Sequence, residues 1–222
     1  MKLIFQRVQP EAGDVYSFIF LPAEPLQWQA GQSIRIEIPA GYGVEERRFT
    51  VSSAPYEKEI AITTKVSKSE FKQALKNLQP GDEVDGYAIE GDFVWNDDST
   101  QKIFVASGIG ITPFHAILKQ RVHERQPIPA ILLYAARTDD MPFKGELDAW
   151  QAADPNFKVV YVTGKRLTSE LVATHVPTMT NSLIYVSGPS AMVDEIGDSL
   201  LRNYALPKAQ LKRDWFTGHL EA

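Results

Sequence analysis

The fold of this chain is restricted most by a change of rhythm at the polar stretch Asn96-Asp-Asp-Ser-Thr-Gln101. Before it, short apolar or alternating runs are separated by turn residues. After it, apolar runs alternate with helical ones. The two rhythms call for different layer architectures, an antiparallel sheet and a covered parallel sheet, so they point to two units rather than one. With 222 residues and 44% apolar content, the chain can supply a core to each.

In the first part, strands are expected at 2–8, 15–21, 33–38, 48–53, 60–65 and 83–87, with turn chemistry at Glu11-Ala-Gly-Asp14, Pro39-Ala-Gly41 and Pro80-Gly-Asp82. One helix interrupts them over 69–78. Phe71, Ala74, Leu75 and Leu78 share its apolar face, and Ser69 is placed to cap its first turn. Six short strands and one helix suggest a small antiparallel β-barrel. In the second part, strands are expected at 102–106, 130–135, 158–163 and 183–186, and helices at 113–124, 144–151, 168–174 and 190–204. That alternation reads as a Rossmann-like parallel α/β sheet covered on both faces. A boundary near 99 divides the chain into 1–99 and 100–222.

Composition removes several classes of function. The net charge of −5, with no basic stripe or tail, argues against nucleic acid. Cysteine is absent, which excludes disulfides, thiol nucleophiles, iron–sulfur clusters and thiolate zinc sites. His115, His123, His175 and His219 show no ligand spacing, so no metal is expected. Redox chemistry would need a bound organic cofactor. The N-terminal residues turn polar after Phe5, and no run approaches the length of a membrane span, so a cytoplasmic protein without a transmembrane segment is expected.

Two segments carry chemistry. Ala106-Ser-Gly-Ile-Gly-Ile-Thr-Pro-Phe114 follows the run Lys102-Ile-Phe-Val105. A strand that ends in a glycine loop and opens a helix aims backbone N–H groups and the positive helix end at one point, which suits a pyrophosphate. Arg47-Arg-Phe-Thr-Val-Ser-Ser53 offers a planar guanidinium fork for phosphate, then an aromatic face and a hydroxyl. Either segment alone is also explained as ordinary structure, a turn that needs glycine for steric reasons and a half-exposed strand. Arg137, Lys165 and Arg166 follow later strands and belong to the carboxyl edge of the sheet, where an adenosine ribose would lie and clustered cations would favour a 2′-phosphate.

The string R-R-F-T-V-S-S-A-P resembles the R-x-[FY]-[ST] flavin motif of the ferredoxin–NADP+ reductase family, and matches run from Gly31 to Phe216. The resemblance implies a flavin-binding barrel followed by a nucleotide-binding sheet, without an iron–sulfur domain. Arg47 would hold the flavin pyrophosphate, Phe49 would pack on the ribityl chain and ring, and Thr50 would bond near N5, with Val51 beside them. The helix with Ser69, Phe71 and Lys72 would face the phosphates, although Lys65-Val-Ser-Lys-Ser69 lacks the family's glycine before it. Backbone groups of Ile62, Thr63, Thr64 and Lys65 would complete that site. Gly108, Gly110, Ile111 and Thr112 would wrap the pyridine nucleotide. Tyr185-Val-Ser-Gly-Pro189 looks like the family's C-G-P motif with Ser187 in place of cysteine, followed by Gly188 and Pro189. Phe216 would be the aromatic over the flavin ring, with Trp215 as a rival.

By this resemblance Thr50, Ser187 and Phe216 surround the reacting atoms. The activity implied is that of a monomeric flavoprotein taking a hydride from NAD(P)H onto FAD, with FMN a lesser alternative and the choice of NADH or NADPH open. Ferredoxin, flavodoxin, another redox protein or a small-molecule acceptor, as in a diaphorase, would receive the electrons. A nucleotide-binding subunit or NAD(P)H sensor without turnover is the competing expectation.

Overall fold

The computed structural model describes residues 1–216 except 42, 99, 177, 178 and 180. His219 therefore lies outside the described residues. The first sheet contains β1 (Lys2–Ala12), β2 (Val15–Pro22), β3 (Ser33–Ala40), β4 (Gly43–Thr50), β5 (Ile60–Lys65) and β6 (Glu83–Glu90) in the order β4-β3-β6-β1-β2-β5. All its pairings are antiparallel. A bridge between Val51 and Ile62 brings its two edges together, so the six strands curl into the expected barrel. Leu3, Phe18, Phe20, Ile34, Ile36 and Ile62 fill its interior, and α1 (Glu70–Asn77) inserts Phe71 and Leu75 into the same core.

The second sheet contains β7 (Gln101–Ser107), β8 (Ala130–Ala136), β9 (Phe157–Thr163), β10 (Ser182–Pro189) and β11 (Leu211–Phe216), all parallel, in the order β11-β10-β7-β8-β9. Burial on both faces explains the unbroken apolar run of β7. Phe104 and Ala106 pack with Phe114, Ile117 and Leu147 from α2 (Thr112–His123) and α3 (Lys144–Ala153). Ile103 and Val105 pack on the other side with Val172 of α4 (Ser169–His175) and with Val193, Ile196 and Leu200 of α5 (Ser190–Asn203). The chain leaves β7 toward β8 on one side and returns to β10 on the other, so the strand order switches between β7 and β10. Their carboxyl ends flank a crevice, the position in open α/β sheets where ligands bind.

The two sheets are docked by specific contacts. Tyr56 stacks on His123 with ring centres 3.8 Å apart, and Lys119 of α2 pairs with Glu57 at 3.0 Å. The segment joining the sheets is held by the second: Phe93 and Trp95 pack with its core. The Arg121 guanidinium lies 4.0 Å from the Trp95 ring centre and the Lys102 ammonium 5.1 Å from it. Lys102, fully buried, also donates to the carbonyls of Asp98 and Thr100. No helix among the described residues is long and apolar enough to cross a membrane.

Candidate functional site

At the end of β7, residues Gly108–Ile111 form one 3-10 turn and α2 begins at once, with Pro113 in its first turn. The two loop glycines have different reasons to be glycine. Gly108 has a φ of +54° with open space beyond it, so a ligand can approach its backbone there. Gly110 has none: a Cβ would sit 2.2 Å from the Ser187 carbonyl oxygen. Gly110, Ile111 and Thr112 are buried, and the Thr112 hydroxyl donates to the Ile109 carbonyl at 3.0 Å. That hydroxyl's proton is therefore used within the loop.

On β4, Glu45, Arg47 and Phe49 lie half-buried on one face while Glu46 and Arg48 are exposed on the other, as strand alternation requires. Phe71 of α1 lies fully buried beneath this face, 5.6 Å from the Phe49 ring and 5.5 Å from the Arg47 guanidinium. Phe71 thus forms the floor under Arg47 and Phe49. Arg47 pairs with Glu45 and donates to the Glu46 carbonyl at 2.8 Å. Ser69 occupies the N-cap position of α1 with extended backbone, but its hydroxyl caps nothing and lies 3.5 Å from Ser67 Oγ. Lys72 is half-buried on the same helix.

Val51, Ile62, Thr63 and Thr64 are buried. The Thr63 hydroxyl is engaged at 2.7 Å by both Ser17 and Ser52, and Lys65 pairs with Asp14 at 2.9 Å.

The barrel and the second sheet converge on one carboxylate. Ser187, fully buried near the end of β10, donates to Asp214 Oδ2 at 3.2 Å, and the Thr50 side chain approaches the same carboxyl from the barrel side. Burial raises the Asp214 carboxyl above its ordinary range, opposed by the Ser187 bond, the nearby Arg48 cation and the Thr50 side chain. Arg48 is itself oriented by donating to Ser33 Oγ at 2.6 Å. Asp214 was not singled out from sequence. Its only signal there is its spacing of two from Phe216, which puts both on one face of β11.

Trp215, on the opposite face, donates its indole N–H to Asp194 of α5 at 2.8 Å and so turns away from Asp214. Gly188, with a φ of +151°, and Pro189 follow Ser187 at the crevice rim, opposite Trp215 and Phe216. Farther along the carboxyl edge, Arg137 and Lys165 are exposed and Arg166 pairs with Glu195 of α5. No group of His, Asp and Glu able to hold a metal occurs among the described residues.

The oxidoreductase NAD-binding domain family matches residues 104–198. The reductase component of propane 2-monooxygenase from Mycolicibacterium smegmatis is 27% identical over 235 residues, covering 96% of this chain and 66% of that protein. Ferredoxin–NADP reductase B of Sorangium cellulosum is 25% identical over 191 residues, covering 82% of this chain and 75% of that protein. Over its NAD-binding half and in its whole fold the chain is similar to members of the ferredoxin–NADP+ reductase family. The FAD/NAD-binding domain of nitric oxide dioxygenase from Vibrio cholerae shares the whole fold, with a TM-score of 0.84, 23% identity and coverage of 97% and 98% of the two chains. These likenesses support an FAD- and NAD(P)H-binding module. It spans from about a third to two thirds of the length of the first curated relatives it matches, flavohemoproteins among them.

The residues at the crevice fit those cofactors. The open space over Gly108 leaves room for a phosphate against backbone, while Arg47, Phe49 and Thr50 offer a cation, an aromatic face and a hydroxyl along one strand.

Proposed function

We propose that this chain is an NAD(P)H-dependent flavin reductase whose electrons leave to a separate redox protein. The carrying observation is the meeting of Thr50 and Ser187 at Asp214, because it brings the flavin-motif strand and the nicotinamide-side strand to one carboxylate. Bound FAD supplies the two-electron acceptor for a hydride from the nicotinamide. The chain's own groups do the rest by position more than by acid–base chemistry. Arg47 exchanges Glu45 for the flavin pyrophosphate, with the backbone of 62–65 and the first turn of α1 beside it. Phe49 lies along the ribityl chain, and Phe216 covers the ring. The loop from Gly108 to Thr112 holds the nucleotide pyrophosphate by backbone, while Ser187, Gly188 and Pro189 shape the nicotinamide pocket.

Residues 1–99 serve the flavin and 100–222 the nucleotide, in a cytoplasmic monomer. Arg137 and Lys165 suit a 2′-phosphate. Arg166 does so less, since Glu195 already neutralises it. A protein acceptor such as a ferredoxin or flavodoxin is favoured because relatives matching 96% and 82% of this chain are a reductase component and a ferredoxin–NADP reductase. Purified chain should take up FAD, turn yellow and reduce ferricyanide with NADH or NADPH. A colourless preparation inert toward both nucleotides would leave only a nucleotide-binding or sensing role.

A further inference from the structure

His115 lies one helical turn past Thr112 in α2 and is 4% exposed. Its ring stacks on Phe143 at 3.7 Å and 12°, with Trp150 at 5.6 Å. Nδ1 lies 2.8 Å from the carbonyl oxygen of Ser52 in the barrel, and Nε2 lies 2.8 Å from Glu146 Oε2 in α3. A carbonyl oxygen only accepts, so the contact with Ser52 requires an N–H at Nδ1.

The carbonyl it reaches belongs to a fixed corner. The Ser52 amide donates to the Ala61 carbonyl at 2.8 Å, and the Ser52 hydroxyl lies 2.7 Å from Thr63 Oγ1. Thr63 in turn lies 2.7 Å from Ser17, whose hydroxyl donates to Glu11 at 2.6 Å. Ser52 follows Thr50 by two residues, and His115 follows the glycine loop by three. A single buried side chain therefore spans from the helix that opens at the nucleotide loop to the strand end that carries the flavin motif. Neither end is a surface contact that solvent could replace.

We propose that His115 is a positioning residue for hydride transfer, its Nδ1–H bond to Ser52 fixing the separation between the flavin strand and the nucleotide loop. The inference rests on the proposed reductase function. Hydride transfer is steep in distance, and a displacement of about 1 Å at the reacting atoms costs on the order of 100-fold in rate.

The test compares His115→Asn, whose amide nitrogen falls where Nδ1 stood, with His115→Gln, whose amide nitrogen falls where Nε2 stood. Each is loaded with FAD and mixed with saturating NADH or NADPH, whichever the wild type uses, in single turnovers, with 4-deuterated nucleotide in parallel. The Asn variant should keep the flavin-reduction rate within about threefold of wild type. The Gln variant should lose about 10- to 100-fold with a larger isotope effect, while FAD content and nucleotide affinity stay unchanged in both.

Hydrogen exchange of the peptide covering 50–54 supplies a readout apart from turnover, and should be faster in the Gln variant alone. Equal rates and equal exchange in the two variants, or losses seen only in FAD content, would overturn the inference while leaving the reductase reading intact. A wild type that reduces no flavin would overturn the reductase reading, and the role of His115 in transfer with it.

Discussion

Replacing Gly110 by alanine tests how the nucleotide loop is held. The added methyl carbon would lie 2.2 Å from the Ser187 carbonyl oxygen, 2.5 Å from its carbonyl carbon and 2.8 Å from Gly188 Cα. All three are backbone atoms of β10, so no side chain can swing aside. Ordinary contact would require the loop and the strand to separate by about 1 Å. β10 cannot supply that movement, because it is paired with β7 on one side and β11 on the other. The loop must lift instead, and the overpacking costs about 3 kcal/mol, the upper end for an extra methyl in a packed interior.

At about 2–4 °C per kcal/mol for a chain of this size, the melting temperature should fall by about 6–12 °C. Gly108→Ala is the control. It meets no atom within 4 Å and carries only the strain of its φ of +54°, so the loss is about 1 kcal/mol. Thermal unfolding of the FAD-free proteins by circular dichroism measures both. A Gly110→Ala protein melting within about 2 °C of wild type, or no lower than Gly108→Ala, would refute the claim that the loop is clamped on β10.

Asp214→Asn should raise the melting temperature at pH 7. The folded state raises this carboxyl above its unfolded value of 3.8, so its contribution to stability is fully present below that value and is lost as pH rises through the folded value. The advantage of the amide should disappear near pH 4, and a pH-independent difference would count against burial as the cause. Arg47→Ala should weaken FAD binding by about 10- to 100-fold, as expected for a lost charge-assisted bond, with little change in stability because its partner Glu45 is near the surface. Glu45→Gln should tighten binding, since the carboxylate competes with the phosphate; fluorescence titration of FAD reads both, and unchanged affinity in Arg47→Ala would remove the phosphate role. Arg137→Ala should raise KM for NADPH about tenfold and leave NADH unaffected if a 2′-phosphate is recognised there, and equal effects in steady-state assays would exclude it.

The strands were legible wherever one physical signal dominated. Ile60–Lys65 begins and ends as its apolar alternation indicates, and β7 is plain from its two-sided burial. β4 starts at Gly43, five residues before the expected start, because Glu45, Glu46 and Arg47 look like a solvated loop. In the folded chain the Glu46 charge is matched by Arg35 across the hairpin and by the Tyr87 hydroxyl. β11 was not among the expected strands: Leu211-Lys-Arg-Asp-Trp-Phe216 has no apolar period, and its cations are answered from outside, Arg213 by Asp194 and Asp198 of α5. β10 runs on to Pro189 through a Ser-Gly-Pro string that reads as a turn.

The cofactor segments were visible because each is contiguous and chemically distinctive. Asp214 and His115 were not, since their partners lie far away in sequence, at Thr50 and Ser187 for one and at Ser52 and Glu146 for the other. Ser69 was misread as a cap because composition gives the position but not the hydroxyl's direction.

The polar stretch at 96–101 looks from its composition like a swivel between the two halves. Trp95 is gripped by Arg121 and Lys102, and Lys102 reaches back to the carbonyls of Asp98 and Thr100. The stretch is therefore a strap riveted to the nucleotide half. Any hinge must act upstream, around Gly91 with its φ of +121°, before Phe93 enters the second core. A turn about that point would carry strap, glycine loop and β10 together as one lever arm. The nicotinamide crevice would keep its shape in such a turn, and its distance from the flavin strand is set by the contacts that cross between the sheets, the His115–Ser52 bond among them.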